Sequence, residues 1–259
     1  MKIIIAPAKI MKNKQLNIKQ TDLLFPNKTA YLHQYLQNFS VENLHDTMKI
    51  SFKMAQTVYD YYHNDDIKTT PALFCYQGTV LKQLNLQTYD ESDFNYLDKY
   101  LTILSAYYGI LKYNTGITPY RLDMTMKLNI DLYQYWQQEV DDYFKNEDYL
   151  ISLASNEFVK MVNHPNIINL DFVEDRGGKL TRNSMYVKQA RGKMLEIMVK
   201  NKITSLKDIQ EVTFDDYVYQ PSLSTENNFV YLRNGKKHIK NITRLTNLVI
   251  CLSILLKGY

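Results

Sequence analysis

Apolar positions follow two rhythms along this chain. Short unbroken runs at residues 2–6, 71–76, 149–153 and 167–173 read as buried strands, because a strand covered on both faces has no alternation to show. Between them, residues 43–62 and 132–144 repeat at helical spacing, and in the second Leu132, Tyr135, Trp136, Val140 and Tyr143 make one stripe. A further helix is predicted over 187–201, with Val187, Ala190, Met194, Ile197 and Met198 as its apolar stripe and Arg191 at the edge. Asp175-Arg176-Gly177-Gly178 is a turn signal that predicts a hairpin between residues 167–173 and 179–185, so antiparallel pairing enters the sheet. With no repeat and no low-complexity linker, the expectation is an α+β fold, a single compact mixed-sheet domain.

Residues 101–121, LTILSAYYGILKYNTGITPYR, carry the most pointed pattern. Phe94, Leu97, Leu101 and Leu104 fall on one helical face, with Asp90 and Ser92 upstream as candidate N-caps. Gly109 can take a turn, after which the apolar pattern resumes and ends on Arg121. This outlines a helix-hairpin-helix, in which the N–H groups of Ser105 to Gly109 face solvent and bind a phosphate without reading a base. A buried helix pair fits the same spacing.

Charge changes this picture more by its distribution than by its sum. The 259 residues carry a net charge of +4, but residues 176–207 hold nine basic residues and one acid, Glu196, whereas 131–175 hold ten acids against Lys145 and Lys160. Either the basic segment creates a positive field on one side, or the two segments pack together and neutralise each other. Cys75 and Cys251 have neither metal-type spacing nor a disulfide pattern and read as reduced thiols. The five histidines form no ligand cluster, and the polar stretch His63 to Asp66 reads as a loop, so no metal is expected. There is no GxGxxG, no Walker loop and no GxSxG, and no cofactor is expected. The apolar opening ends too early for a secretory signal, and the apolar run near the end is shorter than the roughly 20 residues that cross a bilayer. A cytoplasmic protein without a membrane partner is expected.

Three basic residues have local reasons to stand in a site. Lys9 follows a strand and Pro7, where sites of α/β sheets gather, and it can hold a phosphate, act as an amine nucleophile, or simply lie in solvent. Arg121 follows Pro119-Tyr120 and can present a phosphate fork, or pair with Asp123 or Asp131. Arg191, half turned to the core, needs a protein carboxylate or a ligand phosphate, and Lys188 and Lys202 share its flank. Lys193 and Lys200 lie on another side and read as solvated charges.

Several words of the chain occur in order in one known family. They are Pro7-Ala8-Lys9, Leu104-Ser105-Ala106-Tyr107-Tyr108-Gly109, Pro119-Tyr120-Arg121-Leu122, Leu132-Tyr133-Gln134-Tyr135-Trp136, Leu153-Ala154-Ser155 and Lys188-Gln189-Ala190-Arg191-Gly192. On these the chain resembles the YaaA family of peroxide-stress-resistance proteins. It departs at Ala106, where the family hairpin usually has Gly, at Lys112-Tyr113-Asn114-Thr115, and at Gln77-Gly78-Thr79. The likeness ends at Gly235, which suggests a domain over residues 1–235 and a basic-apolar tail over 236–259. The resemblance implies a basic cleft, a helix-hairpin-helix, DNA binding and protection under hydrogen peroxide, without supplying a catalytic reaction.

The reading that follows is a stress protein that contacts the DNA phosphate backbone with little sequence specificity through Lys9, Ser105, Tyr107, Gly109, Arg121, Lys188 and Arg191. A second is an enzyme acting on damaged or modified nucleobases, with Lys9 as amine or phosphate ligand and Asp123 or Glu157 as acid/base. A third is a structural protein whose basic face docks an acidic partner. Catalysis and oligomeric state stay open.

Overall fold

Ile3, Ile4 and Ile5 are wholly buried, as a central parallel strand with both faces covered requires. The computed structural model describes residues 1–64 and 66–234; the tail expected over 236–259 lies outside the described residues, as do Cys251 and Asp65. In chain order the elements are β1 (Lys2–Ile5), α1 (Pro26–Gln37), α2 (Val41–Met48), α3 (Phe52–His63), β2 (Thr70–Pro71), α4 (Ala72–Cys75), α5 (Glu91–Tyr100), β3 (Leu101–Ser105), β4 (Gly109–Leu111), β5 (Gly116–Ile117), α6 (Leu132–Phe144), β6 (Leu150–Ser152), α7 (Asn156–Val159), β7 (Ile167–Asp175), β8 (Leu180–Thr181), α8 (Ser184–Lys200), α9 (Leu206–Glu211), β9 (Val218–Tyr219) and β10 (Asn228–Asn234). Eight strands form one sheet in the order β4-β3-β1-β6-β7-β10-β9, with β8 beside β7, while β2 and β5 pair separately.

The mixed sheet stands as expected, and its centre is parallel. Strands β3, β1, β6, β7 and β10 run the same way, and β4, β8 and β9 join antiparallel. Numbered by appearance, the five parallel strands lie 2-1-3-4-5, the order of doubly wound sheets. Such a sheet opens a crevice where the order reverses, beyond the carboxyl ends of β1 and β6.

Local signals explain much of this arrangement. Asp131 caps α6, accepting from Tyr133 and Gln134, so that helix keeps the predicted bounds. The Asp90 side chain caps α5, accepting from the Asp93 N–H. Gly177 and Gly178 take positive φ in the hairpin between β7 and β8, although β8 keeps only Leu180–Thr181 of the predicted strand. The helical pattern at 43–62 breaks in two, because Lys49 turns left-handed and Ser51 recaps the chain by accepting from Met54.

The helix-hairpin-helix is a correction. After Tyr100 the chain passes straight into β3, and Ser105 to Gly109 close a β-hairpin to β4. Short apolar runs carry no period that separates strand from helix, and pairing of Ile3 with Leu101 beside β1 decides for strand. Residues 71–76 fail the other way: Thr70–Pro71 pair with β5 and Tyr76 makes a single bridge to Met11, but Ala72–Cys75 between them make one helical turn. Among the described residues no helix is long and apolar enough to cross a membrane.

One buried charge ties α5 to the end of α8. The Asp93 carboxylate accepts from Lys200 at 2.5 Å, from Lys202 and from its own helix cap, the Asp90 N–H. Burial alone would raise its pKa, but Lys200 and Lys202 outweigh that and hold it at about 2. Because this value lies below that of the unfolded chain, the stabilisation is present at neutral pH and is lost on acidification. Asp93→Asn should cost about 2–3 kcal/mol at pH 7. Urea midpoints of variant and parent should converge as the pH falls from about 5 to about 2, and a constant gap would refute the assignment.

Candidate functional site

Beyond the carboxyl ends of β1 and β6 the chain encloses a cavity of about 480 Å³. One wall is the turn Ala6 to Ile10, which leaves β1; Leu153, Ser155, Glu157 and Phe158, which follow β6, make another. Residues 120–123 and the loop 77–82 complete it, with Lys188 and Arg191 entering from α8. Lys9, Arg121, Lys188 and Arg191, separated by up to 182 positions in sequence, thus line one space. Lys82 adds a fifth basic side chain, and Asp123 and Glu157 oppose them.

Close packing puts α8 there. A Cβ on Gly192 would collide with the Val80 carbonyl oxygen and the Gln83 side chain, so only glycine lets the helix approach the 77–83 loop and set Arg191 and Lys188 beside it. Gly78 likewise lies against Ala8, where an added Cβ would come within 2.7 Å of the Ala8 Cβ. The sequence pattern alone offers no reason to include Lys82, but a glycine inside a helix of 17 residues was a signal that another backbone lies close.

The arginines are held without being satisfied. Tyr62 fixes the backbone of Arg121, its hydroxyl donating to the Arg121 carbonyl at 2.7 Å and accepting from the Arg121 N–H at 3.3 Å. The Nε atoms of Arg121 and Arg191 are both shut off from solvent and have no hydrogen-bond partner. The carboxylates that could have paired with Arg121 are engaged elsewhere: Asp123 with Lys9 at 2.5 Å and Asp131 with the cap of α6. Asp171, the acid whose field reaches Arg191, is already held by Arg182 in a two-pronged contact. Burial therefore lowers the pKa of Arg191, and Asp171 only partly offsets the shift.

The acidic side of the cavity is graded. The Lys9 side chain is 58% exposed, whereas its partner Asp123 is 16% exposed, so the lysine is the open half of the pair. Glu157 accepts from the Met124 N–H at 3.0 Å. Burial first, and then the Asp123 charge, raises its pKa against the pull of Met124 and Lys9.

Ser105, Tyr107 and Gly109 are not part of this space, and their expected role in an exposed phosphate-binding turn is corrected. Ser105 is wholly buried, and its Oγ accepts from the Tyr107 and Tyr108 N–H groups, turning inward the donors expected to face solvent. The same oxygen lies 2.8 Å from the Tyr120 hydroxyl, and Tyr107 stacks on Tyr120 with centroids 5.0 Å apart. The turn supports the cavity wall from behind. Lys202, expected beside Arg191, belongs to Asp93 instead, as does Lys200, while Lys193 pairs with Asp215.

The basic run largely neutralises. Arg176, Arg182, Lys193, Lys200, Lys202 and Lys207 all lie within 4 Å of a carboxylate, which leaves Lys179, Lys188 and Arg191 outside such pairs among the described residues. Cys75 is buried, and burial pushes its thiol up to about 12, so it does not supply the thiolate that attacks peroxide. Among the described residues no group of three or more His, Cys, Asp or Glu is placed to hold a metal.

A protein-family model described as the peroxide stress protein YaaA matches residues 1–223. Among curated proteins, a UPF0246 protein of Fusobacterium nucleatum is 36% identical over 247 residues, covering 91% of this chain and all of that protein. A UPF0246 protein of Rickettsia felis is 34% identical over 250 residues, 90% of this chain and all of the relative. One from Desulfitobacterium hafniense is 33% identical over 246 residues, 90% of this chain and 98% of its own length.

Proposed function

The chain belongs to the peroxide stress protein YaaA family, and from that premise we propose that its cavity is a basic cleft that binds DNA through phosphate groups, with little preference for sequence. The observation that carries this reading is that Arg121 and Arg191, each with a buried Nε that lacks a partner, line one cavity. An unsatisfied buried donor costs about 1–3 kcal/mol, and a charged one more. A bound phosphate would give these arginines an acceptor, because its oxygens match the planar fork of a guanidinium. Five basic side chains against two acidic ones favour an anion in the same place. The hairpin takes no part, so the phosphate ligands are Lys9, Arg121, Lys188 and Arg191.

Salt dependence tests it. Lys188→Gln combined with Arg191→Gln should weaken binding to duplexes of unrelated sequence by the same factor. It should also flatten the slope of log K against log salt by about one unit for each phosphate that the variant no longer neutralises. A folded variant with an unaltered slope would remove the cavity from DNA binding.

A further inference from the structure

We propose that the cavity takes the phosphomonoester of a single nucleotide unit, offered by a phosphorylated strand end or by a free mononucleotide, rather than a phosphodiester within a continuous duplex. This rests on the phosphate-binding reading above and narrows its ligand. Four independent observations converge on it.

The first is charge. The lining carries a formal surplus of three positive charges. An internal diester brings one negative charge and two free oxygens, whereas a monoester brings about −1.5 to −2 at pH 7 and three. Two guanidinium forks and the Lys188 ammonium have donors for all three.

The second is enclosure. Arg121 and Arg191 are half-buried in the cavity lining, so an acceptor meets them by coming into the cavity. A diester in a duplex is flanked by chain on both sides and by the width of the helix, whereas a terminal group is flanked on one side only and reaches further into a recess.

The third is what surrounds the charges. The same cavity is walled by Pro7, Val80, Leu81, Leu122 and Phe158, and Ile10 of that wall is 63% exposed. A phosphate needs no such wall, but a sugar and base do. Its volume of about 480 Å³ falls within the roughly 300–1,000 Å³ of sites that enclose a small molecule. It also lies where the strand order reverses, the place at which open α/β sheets hold nucleotide-sized ligands.

The fourth is the lack of a track. Six of the nine basic residues over 176–207 are occupied by carboxylates, and of the three left, Lys188 and Arg191 line the cavity, so most of that segment's free positive charge lies there.

The test uses the wild-type chain and fluorescence anisotropy with one duplex sequence in four forms: 5′-phosphorylated, 3′-phosphorylated, unphosphorylated and covalently closed. Calorimetry with deoxyadenosine monophosphate, deoxyadenosine and inorganic phosphate runs beside it. A terminal phosphate should raise affinity about tenfold, the worth of one charge-assisted hydrogen bond. Arg121→Gln should cancel that gain. Tighter binding of the phosphorylated end identifies the strand end as the source. Binding of the mononucleotide above both of its fragments, without an end preference, identifies the free nucleotide.

Equal affinity for the closed and phosphorylated forms, with no binding of mononucleotide beyond inorganic phosphate, overturns the proposal while DNA-phosphate binding stands. An end preference that survives Arg121→Gln also overturns it. Mononucleotide binding without binding of any duplex form overturns the DNA reading and leaves this one standing.

Discussion

Gly109→Val should cost about 3–5 kcal/mol of folding stability and lower the melting temperature by roughly 10 °C. Gly109 sits at φ +73°, a conformation that a β-branched residue strains to adopt. A Cβ there would also come within 2.7 Å of Trp136 Cζ3 and 3.1 Å of Phe25 Cδ2. Trp136 is wholly buried and anchored by its Nε1–H donating to the Ala106 carbonyl at 2.8 Å, so the ring has no room to yield. Circular dichroism melting of variant and parent reads the effect directly. An exposed phosphate-binding turn would have made the opposite prediction, with weakened DNA binding in a protein that melts normally. A variant with that behaviour would restore the hairpin to the binding site.

Replacing both cavity arginines should separate stability from binding. In Arg121→Met with Arg191→Met, two half-buried arginines whose buried Nε atoms lack an acceptor give way to apolar side chains of similar length, and the free protein should melt at the same temperature or higher. The same variant should bind phosphate about 100-fold or more weakly, as two charge-assisted interactions worth about 1.5–3 kcal/mol each disappear. Both quantities are to be measured on one preparation. If either arginine instead served as one half of a buried ion pair, its removal would destabilise the fold by about 3–5 kcal/mol, and the melting curve would show it. The pairing of Asp123 with Lys9, and of Asp171 with Arg182, is the reason that outcome is not expected.

Signals confined to a few neighbouring residues were legible in the chain. The apolar stripe over 132–144 marked α6, Asp90 marked the start of α5, and Gly177-Gly178 marked the turn after β7, because stripes, caps and turns are each set within a few neighbouring residues. The same local logic singled out Lys9 just past a buried strand and Arg121 behind Pro119-Tyr120. Arg191 stood out at the edge of an apolar stripe, and all three line the cavity.

Where several structures satisfy the same near-neighbour pattern, the chain alone could not choose. Residues 101–111 suit helix or strand equally, and the slot beside β1 settles it; the Tyr107 and Tyr108 donors then turn inward to Ser105 Oγ. The fate of the basic run was equally out of reach, since Lys200 and Lys202 meet Asp93 across more than 100 residues and Lys9 meets Asp123 across 114. Sequence by itself determined where α5 and α6 begin, which runs are buried and which basic residues stand at strand ends and helix edges. Only the tertiary structure decided which charges cancel and which two arginines go unpaired beside a common space, because periodicity reports neighbours along the chain whereas an ion pair or a cavity depends on neighbours across it.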